Sequence, residues 1–362
     1  MKITYLIGNG FDLNLGLKTS YQHFYTYYLN IPSKNDIINI FKNHLSRNIH
    51  AWADLEMKLG EYSKNIYNES DYLFILDDIL DNLAEYLANI NNSIINYECN
   101  SQKLTNDLLN LQQYLAPQDS VKVTNLFKKF ASQSYEVNIV IFNYTNTFET
   151  VIQNDKRPYI LRKRSFYTDI LQDILHLHGT TNYNMILGVN DISQIQNIRF
   201  QSSPQICRSI IKAEMNDNAG TLNIQKVKDY IAKSDLICIF GMSIGPTDKM
   251  WWQEIANKIK NSNTILVIFD VDSSVTPRKA YKVKDIKEQK LEKFFSYSQL
   301  TDEEKRKIDN QTILALNTEM FKFLIKAKEK NLELKKEYDR LIKIYHEKEQ
   351  KTNQHKTTKQ TP

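Results

Sequence analysis

The chain is poor in cysteine, poor in glycine and without any long apolar run. Its 362 residues include three cysteines, Cys99, Cys207 and Cys238. They are far apart, which excludes a disulfide framework and a Cys-x-x-Cys zinc pair. No window approaches 18 consecutive apolar residues, so no membrane-spanning helix and no membrane partner are predicted. The apolar run after Met1 is too short for a secretory leader and Asp12 follows soon after, which predicts a cytoplasmic protein. A large excess of one charge is missing too. Residues 301–362 hold 15 Lys and Arg against 11 Asp and Glu, leaving the rest of the chain at +1. A dedicated nucleic-acid surface carries a stronger excess, so a nucleic-acid partner is not expected. What remains is a globular composition, 41% hydrophobic and 25% charged, with enough apolar material for a sizeable core.

There are nine glycines, and most stand at the ends of short apolar runs. Ile3–Ile7 runs into Gly8-Asn9-Gly10, and Asn138–Phe142 into Asn143-Tyr144-Thr145-Asn146. Asp173–Leu177 runs into His178-Gly179, and Met185–Leu187 into Gly188. Asp235–Phe240 runs into Gly241-Met242-Ser243-Ile244-Gly245, and Thr264–Phe269 into Asp270. Short β-branched runs without polar alternation mark strands buried on both faces. Polar and glycine residues after such strands lie where open α/β sheets bind ligands. The predicted fold is α/β, a parallel Rossmann-like sheet built from residues 1–20 and 134–300. Helical spacing such as Leu73, Leu76, Ile79, Leu80, Leu83 and Leu87 assigns 21–133 to a large helical insertion. Residues 301–350 read as C-terminal helices, offering a surface for self-association. Residues 351–362 lack apolar anchors and read as a disordered tail.

The strand-end loops carry the candidate chemistry. Gly8, Asn9 and Gly10 form a strand-to-helix turn in which backbone amides can approach a phosphate, or simply a tight packing turn. Asp12 is either a helix N-cap or a contact to a ribose or a water. Asn143 offers donor and acceptor together, suited to a ribose hydroxyl or a catalytic water, or to capping the next helix. His176 and His178 alternate onto one strand face. His176 reads as structural. His178, at the strand end beside Gly179, reads as a general base. No third ligand has suitable spacing, so no metal is predicted. Gly241 and Ser243 can hold phosphate or ribose, and Asp270 completes the set at the last strand end. The Gly-x-Ser-x-Gly at 241–245 is no hydrolase elbow, since only His346 and His355 follow it. In the insertion, Trp52-Ala53-Asp54-Leu55-Glu56 either anchors a helix or brings an acid into the cleft.

In their order these loops resemble the sirtuin fold: Gly8-Asn9-Gly10 with Gly16-Leu17, then Asn143-Tyr144-Thr145, His178-Gly179 and Gly241-Met242-Ser243. The paired cysteines of the sirtuin zinc ribbon are absent, which argues against protein deacylation. Thr145 stands in place of an acid, and Asp12 in place of a small residue. Leu6–Leu13, Trp52–Glu56, Phe142–Thr145, His176–Gly179 and Gly241–Ser243 together resemble the bacterial abortive-infection AbiH family. That resemblance implies a role in defence against bacteriophage, set off by a phage-derived trigger. The sirtuin-like resemblance implies a small-molecule nucleotide as ligand, with NAD as substrate hydrolysed at the nicotinamide–ribose bond. Asn143 and His178 would then be catalytic, with Gly8, Asn9, Gly10, Asp12, Gly241, Ser243 and Asp270 binding the nucleotide. The alternatives are a non-catalytic nucleotide sensor acting through partners, and a nucleic-acid-acting toxin using the C-terminal segment.

Overall fold

The computed structural model describes residues 1–94, 97–98, 101–153, 157–322 and 326–327. Among these residues, seven strands form one sheet: β1 (Lys2–Ile7), β2 (Glu136–Ile141), β3 (Tyr159–Lys163), β4 (Thr168–His176), β5 (Leu236–Phe240), β6 (Ile265–Asp270) and β7 (Thr312–Leu316). Their order is β3-β4-β2-β1-β5-β6-β7, and only β3 runs antiparallel to its neighbour. Without β3, the parallel strands in chain order lie 3-2-1-4-5-6. The order reverses between β1 and β5, the place at which sheets of this order bind their ligands.

The apolar runs form strands because both faces of the sheet are covered. Alternation sends Ile3, Tyr5 and Ile7 to one face and Leu6 to the other. The first face packs Leu104, Leu108 and Val123, from helices Ser101–Leu109 and Pro117–Lys129. The second packs Val227 and Ile231 of Asn223–Lys233, and Trp252, Ile255 and Ile259 of Lys249–Lys260. Each fully buried side chain of this size contributes about 1.5–3 kcal/mol of transfer free energy.

Three sequence expectations change. Met185–Leu187 forms no strand; Gly188 instead packs so tightly that an added Cβ would lie 2.0 Å from the Ile210 carbonyl oxygen. The segment read as C-terminal helices holds the helix Asp302–Asp309 and then β7, an edge strand whose Ile313 and Leu314 reach the two opposite cores. The part of that segment from 328 to 350 and the tail from 351 lie outside the described residues. The stretch read as one insertion divides between two cores. Residues 101–129 cover the sheet, whereas Tyr21–Tyr28, Asp36–Arg47, Leu55–Tyr62 and Glu69–Ile94 build a separate apolar core. That second core also takes in Leu187, Val189, Ile195, Phe200, Ile206 and Ile210. No helix among the described residues is long and apolar enough to cross a membrane.

Candidate functional site

The two glycine turns meet at the point where the strand order reverses. Gly8 N donates to Phe240 O at 2.9 Å, and Gly10 N to Gly241 O at 2.8 Å. A Cβ on Gly10 would stand 2.4 Å from Gly241 Cα, and Gly241 itself has φ +63°. Glycine is required here because the two backbones touch. The Gly8 and Gly10 amides are thus already engaged with protein carbonyls. The Asn9 side chain is engaged too, donating to Thr19 O at 3.0 Å and accepting from Thr19 Oγ1 at 2.6 Å. Asn9 is the N-cap of the short helix Gly10–Asn14, without a side-chain capping bond.

Asp12 lies inside that helix, fully buried, and caps nothing. Its Oδ2 accepts from Thr145 Oγ1 at 2.6 Å, while Oδ1 has no partner. Burial raises its pKa to about 6, against the opposing pull of the Thr145 hydroxyl and of the nearby Thr147, Asn143 and His176 side chains. Asn143 is buried beside it and does not cap the following helix, Thr147–Ile152, whose N-cap is Asn146.

Along β4, His176 and the residue two places on have different surroundings. His176 Nε2 lies 2.8 Å from Glu149 Oε1, and Nδ1 lies 3.3 Å from Asn143 O. His178 is 3% exposed, and neither ring nitrogen has a hydrogen-bond partner. Its ring packs on Phe142, centroids 5.3 Å apart, and lines a cavity of about 60 Å³ with Asn190, Lys212, Asn216, Asp248 and Trp251. The bond from Lys212 N to Val189 O, 2.9 Å, fixes the entry to the helix Lys212–Asn218 and so places Lys212 in this wall.

Lys212 Nζ stands 2.8 Å from Asp248 Oδ1 and 2.8 Å from Glu56 Oε2. Asp248 follows the glycine loop after β5. Glu56 enters from the second core, on the helix Leu55–Tyr62, which Asp54 caps by accepting from Met57 N at 3.0 Å. Tyr144 contributes its hydroxyl, 3.2 Å from Glu56 Oε1 and 2.9 Å from Ile186 O. Burial raises the Glu56 pKa to about 7, offset in part by Lys212. Burial also disfavours the Lys212 ammonium, but Asp248 and Glu56 outweigh it and raise its pKa. Burial, with Lys212 nearby, lowers His178 to about 3, so the imidazole is neutral. With both carboxylates ionised the array holds one more negative charge than positive.

The structure therefore gathers Asp12 with Asn143, and His178 with Asp248. It joins neither Ser243 nor Asp270 to them. Ser243 is exposed, and Asp270 is ion-paired with Lys290. Lys212 had no signal in the sequence, being one lysine in an unpatterned helical stretch. Glu56 stood in the Trp52–Glu56 motif and is the acid that reaches the cleft, whereas Asp248 lies three residues beyond the glycine loop 241–245. Among the described residues no group of three or more His, Cys, Asp or Glu side chains is placed to hold a metal.

The chain is thus a mixed α/β protein with a mostly parallel sheet and a buried charged cluster beyond its strand ends, the end at which such sheets bind their ligands. A family model described as "Bacteriophage abortive infection AbiH" matches residues 4–270. The match spans the sheet through β6, the second core and every residue of the cleft, and the chain belongs to that family. No curated protein matches the chain.

Proposed function

We propose that the protein acts in abortive infection by hydrolysing NAD at its nicotinamide–ribose bond. The observation that carries this reading is His178, neutral and without a hydrogen-bond partner among the described residues, beside a Glu56–Lys212–Asp248 array that carries an excess negative charge once Glu56 is ionised. The nicotinamide ring of NAD is cationic, and cleavage of its glycosidic bond builds positive charge on the ribose. A buried anionic array stabilises that charge more strongly than water does. His178 accepts the proton of the attacking water. Asn143 and the free Oδ1 of Asp12 offer polar atoms to ribose hydroxyls. The strand order supports the same ligand class, since 3-2-1-4-5-6 sheets take dinucleotides where the order reverses. With the Gly8 and Gly10 amides engaged, pyrophosphate contacts fall to other groups of these loops, including the exposed Ser243.

Cavities that take whole ligands run to about 300–1,000 Å³. The present one, about 60 Å³, opens to a dinucleotide only if the second core moves off the sheet. A closed site suits a defence protein that must stay silent until infection.

The test is chromatography of NAD incubated with purified protein, and of extracts from phage-challenged cells expressing it. Free nicotinamide is expected with the unaltered protein, falling about 100-fold or more in His178→Ala. Undiminished release by the variant removes His178 as base. No release in either setting overturns the hydrolase, and NAD retained intact on the protein then identifies a sensor.

A further inference from the structure

We propose that Lys212 is a positioning residue that keeps His178 a neutral imidazole by occupying the Asp248 oxygen that His178 faces. The inference uses the hydrolase reading only for what His178 does next; the control of its charge stands on geometry. A single oxygen, Asp248 Oδ1, faces two potential cations. Lys212 Nζ lies 2.8 Å from it and His178 Nε2 lies 3.7 Å from it, beyond hydrogen-bond reach. While the ammonium occupies that oxygen, the imidazole meets a neutralised carboxylate and a second positive charge. Both disfavour imidazolium. Glu56 Oε2, 2.8 Å away, holds the ammonium from its other side.

Burial is the larger influence and disfavours the imidazolium whether or not Lys212 is present; among the charged neighbours Lys212 leads. His176, two residues back along the strand, also disfavours charge on His178, but it is engaged by Glu149. Phe142 and Trp251 bring rings without charge, and Asn190 and Asn216 bring amides. Remove the ammonium, and Asp248 becomes the natural counter-ion of a protonated His178. Lys212 thus holds a cationic place that His178 would otherwise fill.

The measurement is a pH titration of imidazole nitrogen signals in the full-length protein. The His178 signal is identified by its disappearance in His178→Asn, which separates it from the other six of the seven histidines. In the unaltered protein His178 stays neutral from pH 8 down to about 5. In Lys212→Met burial is unchanged but Asp248 is released to His178, so its titration moves upward, above about pH 5. Should Lys212→Met not fold, a second variant carries Glu56→Gln with it. One stranded carboxylate is then gone, Asp248 alone faces His178, and the same upward move is expected. His178 remaining neutral to about pH 5 in every folded variant overturns the proposal. The two readings fail separately. A shifted His178 without nicotinamide release leaves the control by Lys212 standing and removes the NAD reaction; nicotinamide release with an unshifted His178 does the reverse.

Discussion

Asp12 and Glu56 are both carboxyl groups buried beyond the strand ends, yet their surroundings treat charge differently. Asp12 sits on the sheet's own first loop and meets hydroxyl and amide groups, from Thr145, Thr147 and Asn143. No cation contacts it, so it holds its proton to about pH 6. Glu56 arrives from the second core and meets a full ammonium, which it shares with Asp248. Tyr144 and Thr145, successive residues after β2, serve the two places in turn: Tyr144 reaches Glu56 and Thr145 reaches Asp12. Burial pushes both carboxyls up, and in the region folded from one continuous layer only hydroxyl, amide and imidazole groups oppose it. A region assembled from two cores compensates its acid with charge, and its site is complete only when those cores are docked.

That contrast is broken most severely at Lys212. Lys212→Met leaves Glu56 and Asp248 buried without their cation, and unfolding in urea should show a loss of about 3–5 kcal/mol near neutral pH. A loss below about 1 kcal/mol would mean that water reaches the array and the two regions are alike.

The next effect concerns Asp12 and has a defined sign. Its folded-state pKa of about 6 lies above the usual 3.8. Protonated Asp12 therefore stabilises the fold, fully below about pH 4, and that contribution fades as pH rises through 6. Asp12→Asn should remove about 3 kcal/mol of pH dependence across this window, read as the difference between the two stability curves. Parallel curves would show that Asp12 is solvated, and would erase the contrast from the other side.

The smallest effect is expected at Tyr144→Phe. The hydroxyl bonded to Ile186 O and close to Glu56 is lost, while the ring keeps its place in the second core. A cost of about 1 kcal/mol in the same urea experiment is expected. A cost above about 3 kcal/mol would make Tyr144 a principal tie between the cores.

The central sheet was legible in the sequence because its strands are buried on both faces. Five of the six apolar runs singled out there lie on β1, β2, β4, β5 and β6. The strand β3 escaped notice because Arg162 and Lys163 interrupt it at an antiparallel edge, where one face is wet. The β7 run, only Thr312–Leu316, was submerged in a charged helical stretch. Met185–Leu187 looked like a strand because it is apolar, but it supplies the second core instead. Within the site, Asn143 and His178 stood out by position at strand ends. Lys212 did not, since what singles it out is two acids from distant segments, a long-range contact with no local pattern. Asp270 had the right position and the wrong neighbour, Lys290.

The strand order also sets a timetable for synthesis. β1 is made first but lies in the middle of the sheet, with Ile3 pairing to Val137 on one side and to Leu236 on the other. At roughly 5–20 residues per second, its second neighbour emerges about 10–50 s later. Through that interval the nascent chain carries an apolar strand with an open edge, a target for chaperones and proteases. No ribosome-bound fragment that stops short of Asp248 holds the cleft, because Asp248 and its loop follow β5. The topology of the sheet therefore makes assembly of the cleft one of the last events of synthesis.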